Sequence, residues 1–204
     1  MRGRGQTTHA HRDALAFLAL VIALALGVLT AIPASGMATT RFGAKLSGDL
    51  DPVEVEEQCP DDGGLCTRVP LRYEHPTHAG SSPYAPRDGV IDKIRLVSST
   101  EGVLVPQVVK VKGNFAPITE VKVKAEGPEL EYDGTGLVES FNVDLPIKEG
   151  QRIAMRTQFA GALHCEPGID NEAIVDPVLF LGDPFTDANY YTGCTHLLQA
   201  VMED

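Results

Sequence analysis

Between Leu137 and Phe159 the chain alternates apolar and polar positions twice. Phe141, Val143, Leu145 and Ile147 take turns with Asn142, Asp144 and Pro146. After a polar stretch ending at Gly150, Ile153, Met155, Thr157 and Phe159 take turns with Ala154, Arg156 and Gln158. A repeat of two sends one set of side chains to a buried face and the other to water, as in a half-buried strand. The short glycine-containing connection predicts a β-hairpin with Asn142, Asp144, Ala154, Arg156 and Gln158 outward.

The same reading places strands near 90–98, 103–112, 119–126, 173–182 and 195–203, with a weak one at Ala44–Leu46. Val69, Leu71 and Tyr73 alternate with Arg68, Pro70 and Arg72, and Pro70 predicts an edge strand because proline cannot donate to a ladder. The apolar run in AIVDPVLFLG (173–182) predicts a strand covered on both faces. The loop 74–89 carries three prolines and two glycines, which excludes regular structure there. Strands at this spacing, with no amphipathic helix between them, predict an all-β antiparallel sandwich of jelly-roll type with eight or nine strands.

The N-terminus follows a different rule. Arg2, Arg4 and Arg12 precede an uncharged apolar run from Ala14 to Ile32, and then the small residues Ala34-Ser35-Gly36-Met37-Ala38. These are the three parts of a secretory signal helix, with cleavage expected after Gly36 or Ala38. The alternative is an uncleaved anchor, since residues 14–32 approach the ~20 apolar residues that span a bilayer. The expected organisation is a signal peptide at 1–38, an acidic lead-in at 39–65 and a sandwich domain at 66–204.

Charge and cysteine narrow the class. A net charge of −11 argues against nucleic-acid binding, which needs a basic footprint. Cys59, Cys66, Cys165 and Cys194 all follow the signal segment, and an even number in an exported chain predicts two disulfides. Cys59–Cys66 and Cys165–Cys194 are the preferred pairs, and no CxxC supports a zinc ribbon.

Three segments resemble a group of bacterial exported β-sandwich proteins without an established activity. They are Ala85-Pro86-Arg87-Asp88-Gly89-Val90-Ile91 leading to Ile94, the stretch Phe141–Ile153, and Leu197-Leu198-Gln199-Ala200-Val201-Met202-Glu203. The resemblance covers about residues 66–203 and implies a fold only. Members often carry a tryptophan after the Asp-Gly turn, and this chain has none.

Four groups of residues are candidates for chemistry. His164 and His196 flank Cys165 and Cys194, so a disulfide there would gather them toward a zinc or copper site; otherwise they are strand-end histidines. His75 and His78 form H-P-T-H in the loop. Glu129, Glu131 and Asp133, with Asp170, Glu172, Asp176, Asp183 and Asp187, offer the hard oxygen ligands calcium takes, without DxDxDG order. Calcium is the cofactor this pattern would admit. Lys110, Lys112, Lys122 and Lys124 fall on outward positions of two consecutive strands, opposite in sense to Val109, Val111, Val121 and Val123. They either keep exposed strands soluble or meet an anionic polymer. Tyr84, Tyr190 and Tyr191 in loop-like contexts could stack a carbohydrate or cover a disulfide.

No G-x-S-x-G, H-E-x-x-H, P-loop or dinucleotide fingerprint occurs. The expectation is a secreted or cell-surface, non-catalytic binding domain for a glycan or anionic wall polymer. Its rivals are a small extracytoplasmic hydrolase and a membrane-anchored envelope protein.

Overall fold

The computed structural model describes residues 38–46, 59, 64–73, 81–115, 118–157, 163–165, 172–192 and 194–203. The signal and anchor readings of residues 1–38, apart from Ala38 itself, and His75, His78 and Asp170, lie outside them. The described residues belong to one unit, Ala38–Asp204, and all their regular structure is β. None of their segments is a helix long and apolar enough to cross a membrane.

In chain order the strands are β1 (Thr39–Gly43), β2 (Cys66–Pro70), β3 (Gly89–Val97), β4 (Gly102–Phe115), β5 (Ile118–Glu126), β6 (Leu130–Tyr132), β7 (Val138–Ile147), β8 (Arg152–Thr157), β9 (Leu163–Cys165), β10 (Glu172–Val175), β11 (Thr186–Asp187), β12 (Tyr190–Thr192), β13 (Cys194–His196) and β14 (Leu198–Glu203). Their pairings are antiparallel. One sheet runs β1-β14-β3-β7; a larger one runs β11-β5-β4-β8-β2-β10-β12, with β6 beside the start of β4; β9 and β13 form a separate pair.

The main core lies between the two sheets. Ile91, Ile94, Leu96, Leu145, Ile147, Leu198, Ala200 and Met202 from the first meet Leu104, Val108, Ile153 and Met155 from the second. The larger sheet also curls. Its terminal strands β11 and β12 are only Ala188 and Asn189 apart in sequence, and those residues donate backbone hydrogen bonds to Thr119 and Ile174 on opposite flanks. The sheet becomes a half-barrel around a second core of Val69, Val109, Val121, Val123, Ala154, Ala173 and Val175. Residues 82–85 stitch sheet to sheet, since Ser82 bridges Gly43 while Tyr84 bridges Arg152, and Ala85 enters the main core.

The curl explains where the periodic reading departs from the molecule. β7 pairs with β3, whereas β8 lies between β4 and β2. The stretch 148–151 is therefore an arch between sheets, not a hairpin turn. Alternation fixes which face of a strand is buried; it does not choose the strand's partner. Ala154, expected outward, is buried because that face of β8 lines the half-barrel. Pro70 ends an interior strand instead of marking an edge, since β2 is flanked by β8 and β10. The strand expected over 173–182 stops at Val175, and a cis Asp176–Pro177 bond opens a loop. In that loop Leu179 is buried while Phe180 and Leu181 are exposed.

Among the described residues there are fourteen strands against the eight or nine expected, because segments of two or three residues such as β6, β11 and β12 carry no readable alternation. The expected lead-in contributes β1 to the first sheet and Phe42 to its core.

Candidate functional site

The β4–β5 pair carries all four lysine candidates. Lys110 stands directly opposite Lys122, and Lys112 opposite Glu120. The register slips between Val108 and Val109, which face Ala125 and Val123, so Lys124 is the extra residue of a β-bulge. On the other face, Val109, Val121 and Val123 are buried in the half-barrel core and Val111 packs against it. Burying the valines forces the lysines out.

These lysines are not equivalent. Lys112 donates to Glu120 at 2.8 Å and sits 3.7 Å from the centre of the Phe185 ring, whereas Lys122 lies 6.0 Å from that ring. Among the described residues Lys110, Lys122 and Lys124 make no ion pair. Like charges placed directly across an antiparallel pair repel, so the Lys110–Lys122 position works against the sheet unless a counter-anion is present.

A further lysine joins them from elsewhere in the chain. A cleft of about 610 Å³ opens between β4–β5 and the arch after β7, lined by Lys110, Lys124, Lys148, Asp88, Pro146 and Gln151 among others. The arch is held by short bonds: the Glu149 amide donates to Asp88 Oδ1 at 2.8 Å, and the Lys148 amide to Gln151 Oε1 at 2.9 Å. Sequence reasoning missed Lys148 because nothing local ties a turn lysine to strands more than twenty positions away. Only the sheet-crossing arch brings it there.

The other candidates separate. Glu129, Glu131 and Asp133 are all exposed, and among the described residues no group of three or more His, Cys, Asp or Glu side chains could hold a metal ion. Glu172, one of the acids considered for calcium, is buried against Arg68 at 3.0 Å. Cys59 and Cys66 form a disulfide with a Cα–Cα distance of 5.6 Å. In the β9–β13 pair Cys165 stands opposite Cys194, His164 opposite Thr195 and His196 opposite Leu163. The two histidines thus occupy register positions of opposite parity.

The tyrosines divide as well. Tyr84 accepts a 2.8 Å hydrogen bond from Arg152 Nη2, and its ring centre lies 4.5 Å from that guanidinium. It therefore anchors the 82–85 segment while keeping an exposed edge. Tyr190 is exposed on the terminal strand β12, whereas Tyr191 packs against the half-barrel core.

Tyr73, which the strand reading placed inward, keeps its hydroxyl out of water. Burial pushes its phenol well above the ordinary tyrosine value; the Arg152 guanidinium opposes that rise and the Glu172 carboxylate adds to it. The neutral phenol is thus favoured more in the folded than in the unfolded chain. Its contribution is complete below the unfolded value of about 10 and is lost as pH rises from there toward the folded value. Tyr73→Phe is expected to flatten the fall in urea midpoint above about pH 10. An unaltered alkaline limb in that variant would assign the fall to other groups, such as Tyr132, whose phenol is also raised by burial and by Glu139.

The chain matches no protein-family model, no curated protein and no solved structure.

Proposed function

We propose that this is an exported, non-catalytic β-sandwich domain that binds an anionic polymer of the cell surface on its lysine face. The reading keeps the resemblance to bacterial exported sandwiches expected from sequence. It also keeps the jelly-roll type, which the alternation of β3, β4, β7 and β8 between the two sheets supports. A buried Cys59–Cys66 disulfide fits an oxidising compartment.

The observation that carries the proposal is Lys110 opposite Lys122, with Lys124 at the neighbouring bulge in a chain of net charge −11. Lysine also serves to blunt sheet edges, a role open to Lys122 and Lys124 because the β11 ladder stops at Val121, and to Lys110 because the β8 ladder stops at Val109; a lysine directly opposite a lysine is what that role does not require. β5 is flanked by β4 and, at Glu120 and Val121, by β11. An electropositive patch on an acidic protein concentrates polyanions locally while the remaining surface repels them.

The purified protein is expected to bind an immobilised polyanion at low salt and to be released as screening rises. Lys110→Gln with Lys122→Gln should weaken that binding about tenfold, from the loss of two charge contacts, with a melting temperature unchanged or slightly raised by relief of the lysine–lysine repulsion. Absence of wild-type binding at low salt refutes the proposal.

A further inference from the structure

We infer that the cleft between β4–β5 and the 148–151 arch is the seat of one repeat unit of that polymer, and that the unit is hydroxylated as well as anionic. This rests on the polyanion reading and adds the chemistry of the ligand. The cleft volume of about 610 Å³ falls within the roughly 300–1,000 Å³ usual for small-ligand sites. It would accommodate a sugar or polyol unit, not merely a point charge.

The lining is mixed in a way that a bare polyanion would not use. Lys110, Lys124 and Lys148 bring three cations from three different strands or turns. Against them stands Asp88, whose Oδ1 holds the Glu149 amide and whose Oδ2 is left to accept from a hydroxyl. Gln151 commits its carbonyl oxygen to the Lys148 amide, which leaves its NH2 as a donor. Pro146 and the buried Ile147 supply an apolar wall for the carbon face of a ring or polyol.

A charge at every position along the ligand would bring one of them toward the Asp88 carboxylate. A unit with one anionic group and neighbouring hydroxyls meets all three kinds of group. The anionic group is either a uronate carboxylate or a phosphodiester, both of which suit lysine as a point charge.

The test is calorimetric titration of the full chain at low ionic strength with oligogalacturonate, glycerol phosphate oligomer and linear polyphosphate of matched charge. At least one hydroxylated oligomer is expected to bind about tenfold more tightly than polyphosphate, and the better of the two names the anionic group. Lys148→Gln should weaken that oligomer several-fold with no loss of melting temperature. Asp88→Asn, which keeps the Oδ1 acceptor for Glu149, should raise polyphosphate binding and narrow the gap.

Polyphosphate binding as tight as either oligomer overturns the hydroxylated-unit inference and leaves the lysine-face proposal standing. So does oligomer binding that Lys148→Gln leaves unchanged while the Lys110→Gln, Lys122→Gln pair removes it. Absence of binding by all three refutes both.

Discussion

Glu172→Ala is expected to destabilise the protein by about 3–5 kcal/mol, the usual result of removing one partner from a buried ion pair. Arg68 Nη1 and Glu172 Oε2 are 3.0 Å apart, and both side chains are fully buried, at 0% exposure. Arg68 comes from β2, where it stands opposite Ile174 of β10 and Met155 of β8. Glu172 stands opposite Pro70, one diagonal step along the same β2–β10 ladder. With the carboxylate gone, the guanidinium remains fully buried on the face of β2 that stands opposite Met155 and Ile174, and it loses its ionic partner for that burial.

The decisive comparison is the pair Arg68→Met with Glu172→Leu. Replacing both ions by apolar groups removes the desolvation cost along with the attraction, so it is expected to be neutral or stabilising by about 1–4 kcal/mol. Urea unfolding would read both variants, as a fall in midpoint for Glu172→Ala at an unchanged slope. In a domain of this size the single variant should also melt roughly 6–20 °C lower. A Glu172→Ala variant within about 1 kcal/mol of wild type would mean the pair is less sequestered than its geometry implies. So would a double variant as damaged as the single one.

The same ion pair marks the boundary of what the sequence discloses. Long strands with an apolar-polar repeat were legible: β3, β4, β5, β7, β8 and β14 lie where alternation put them. The face of β4 and β5 that buries Val109, Val121 and Val123 was also legible, and with it the outward sense of the lysines. A second buried face was legible only at the start of 173–182, whose apolar run predicted cover on both faces, and not in β2 or β8. Alternation assigns one face of each strand to water, whereas the half-barrel buries both faces of β2, β8 and β10.

Polar residues buried on the second face of such strands therefore look like surface residues. Glu172 read as one more loop acid for that reason. The cleft was half legible: Lys110 and Lys124 come from strands whose periodicity is clear, but Asp88, Lys148 and Gln151 come from turns. Turn residues carry no period, and their location depends on which sheet each strand joins.

Arg152→Ala should be nearly as damaging as loss of Glu172, for a different reason. Arg152 Nη1 donates to the backbone carbonyls of Pro70 and Leu71 at 2.8 and 3.0 Å, and Nη2 donates to the Tyr84 hydroxyl at 2.8 Å. The residue is only 1% exposed. Burial lowers its pKa, while Tyr84 and Tyr73 pull it back up.

A planar guanidinium can serve all three acceptors at once; alanine leaves two buried carbonyls unserved, at about 1–3 kcal/mol each. Arg152→Lys should not rescue, because a single ammonium on a flexible stem cannot reproduce the fork. The effect should also be directional. Tyr84 belongs to the segment that joins the sheets, with the Ala85 amide bonded to the Gln151 carbonyl and the Gly43 amide to that of Ser82.

Losing Arg152 should therefore speed hydrogen exchange at Ala85 and Gly43 before it affects amides in β3 or β14, and Tyr84→Phe should reproduce that local effect at about 1 kcal/mol. Full stability in Arg152→Lys, or unchanged protection at Ala85 in Arg152→Ala, would show that the seam is held by its backbone bonds and by Ala85 in the core. Asp88 follows this segment after Pro86 and Arg87 and bonds the arch through Glu149. An Arg152 variant that remains folded should accordingly also bind polyanion more weakly through a loosened cleft, although Arg152 is not part of its lining.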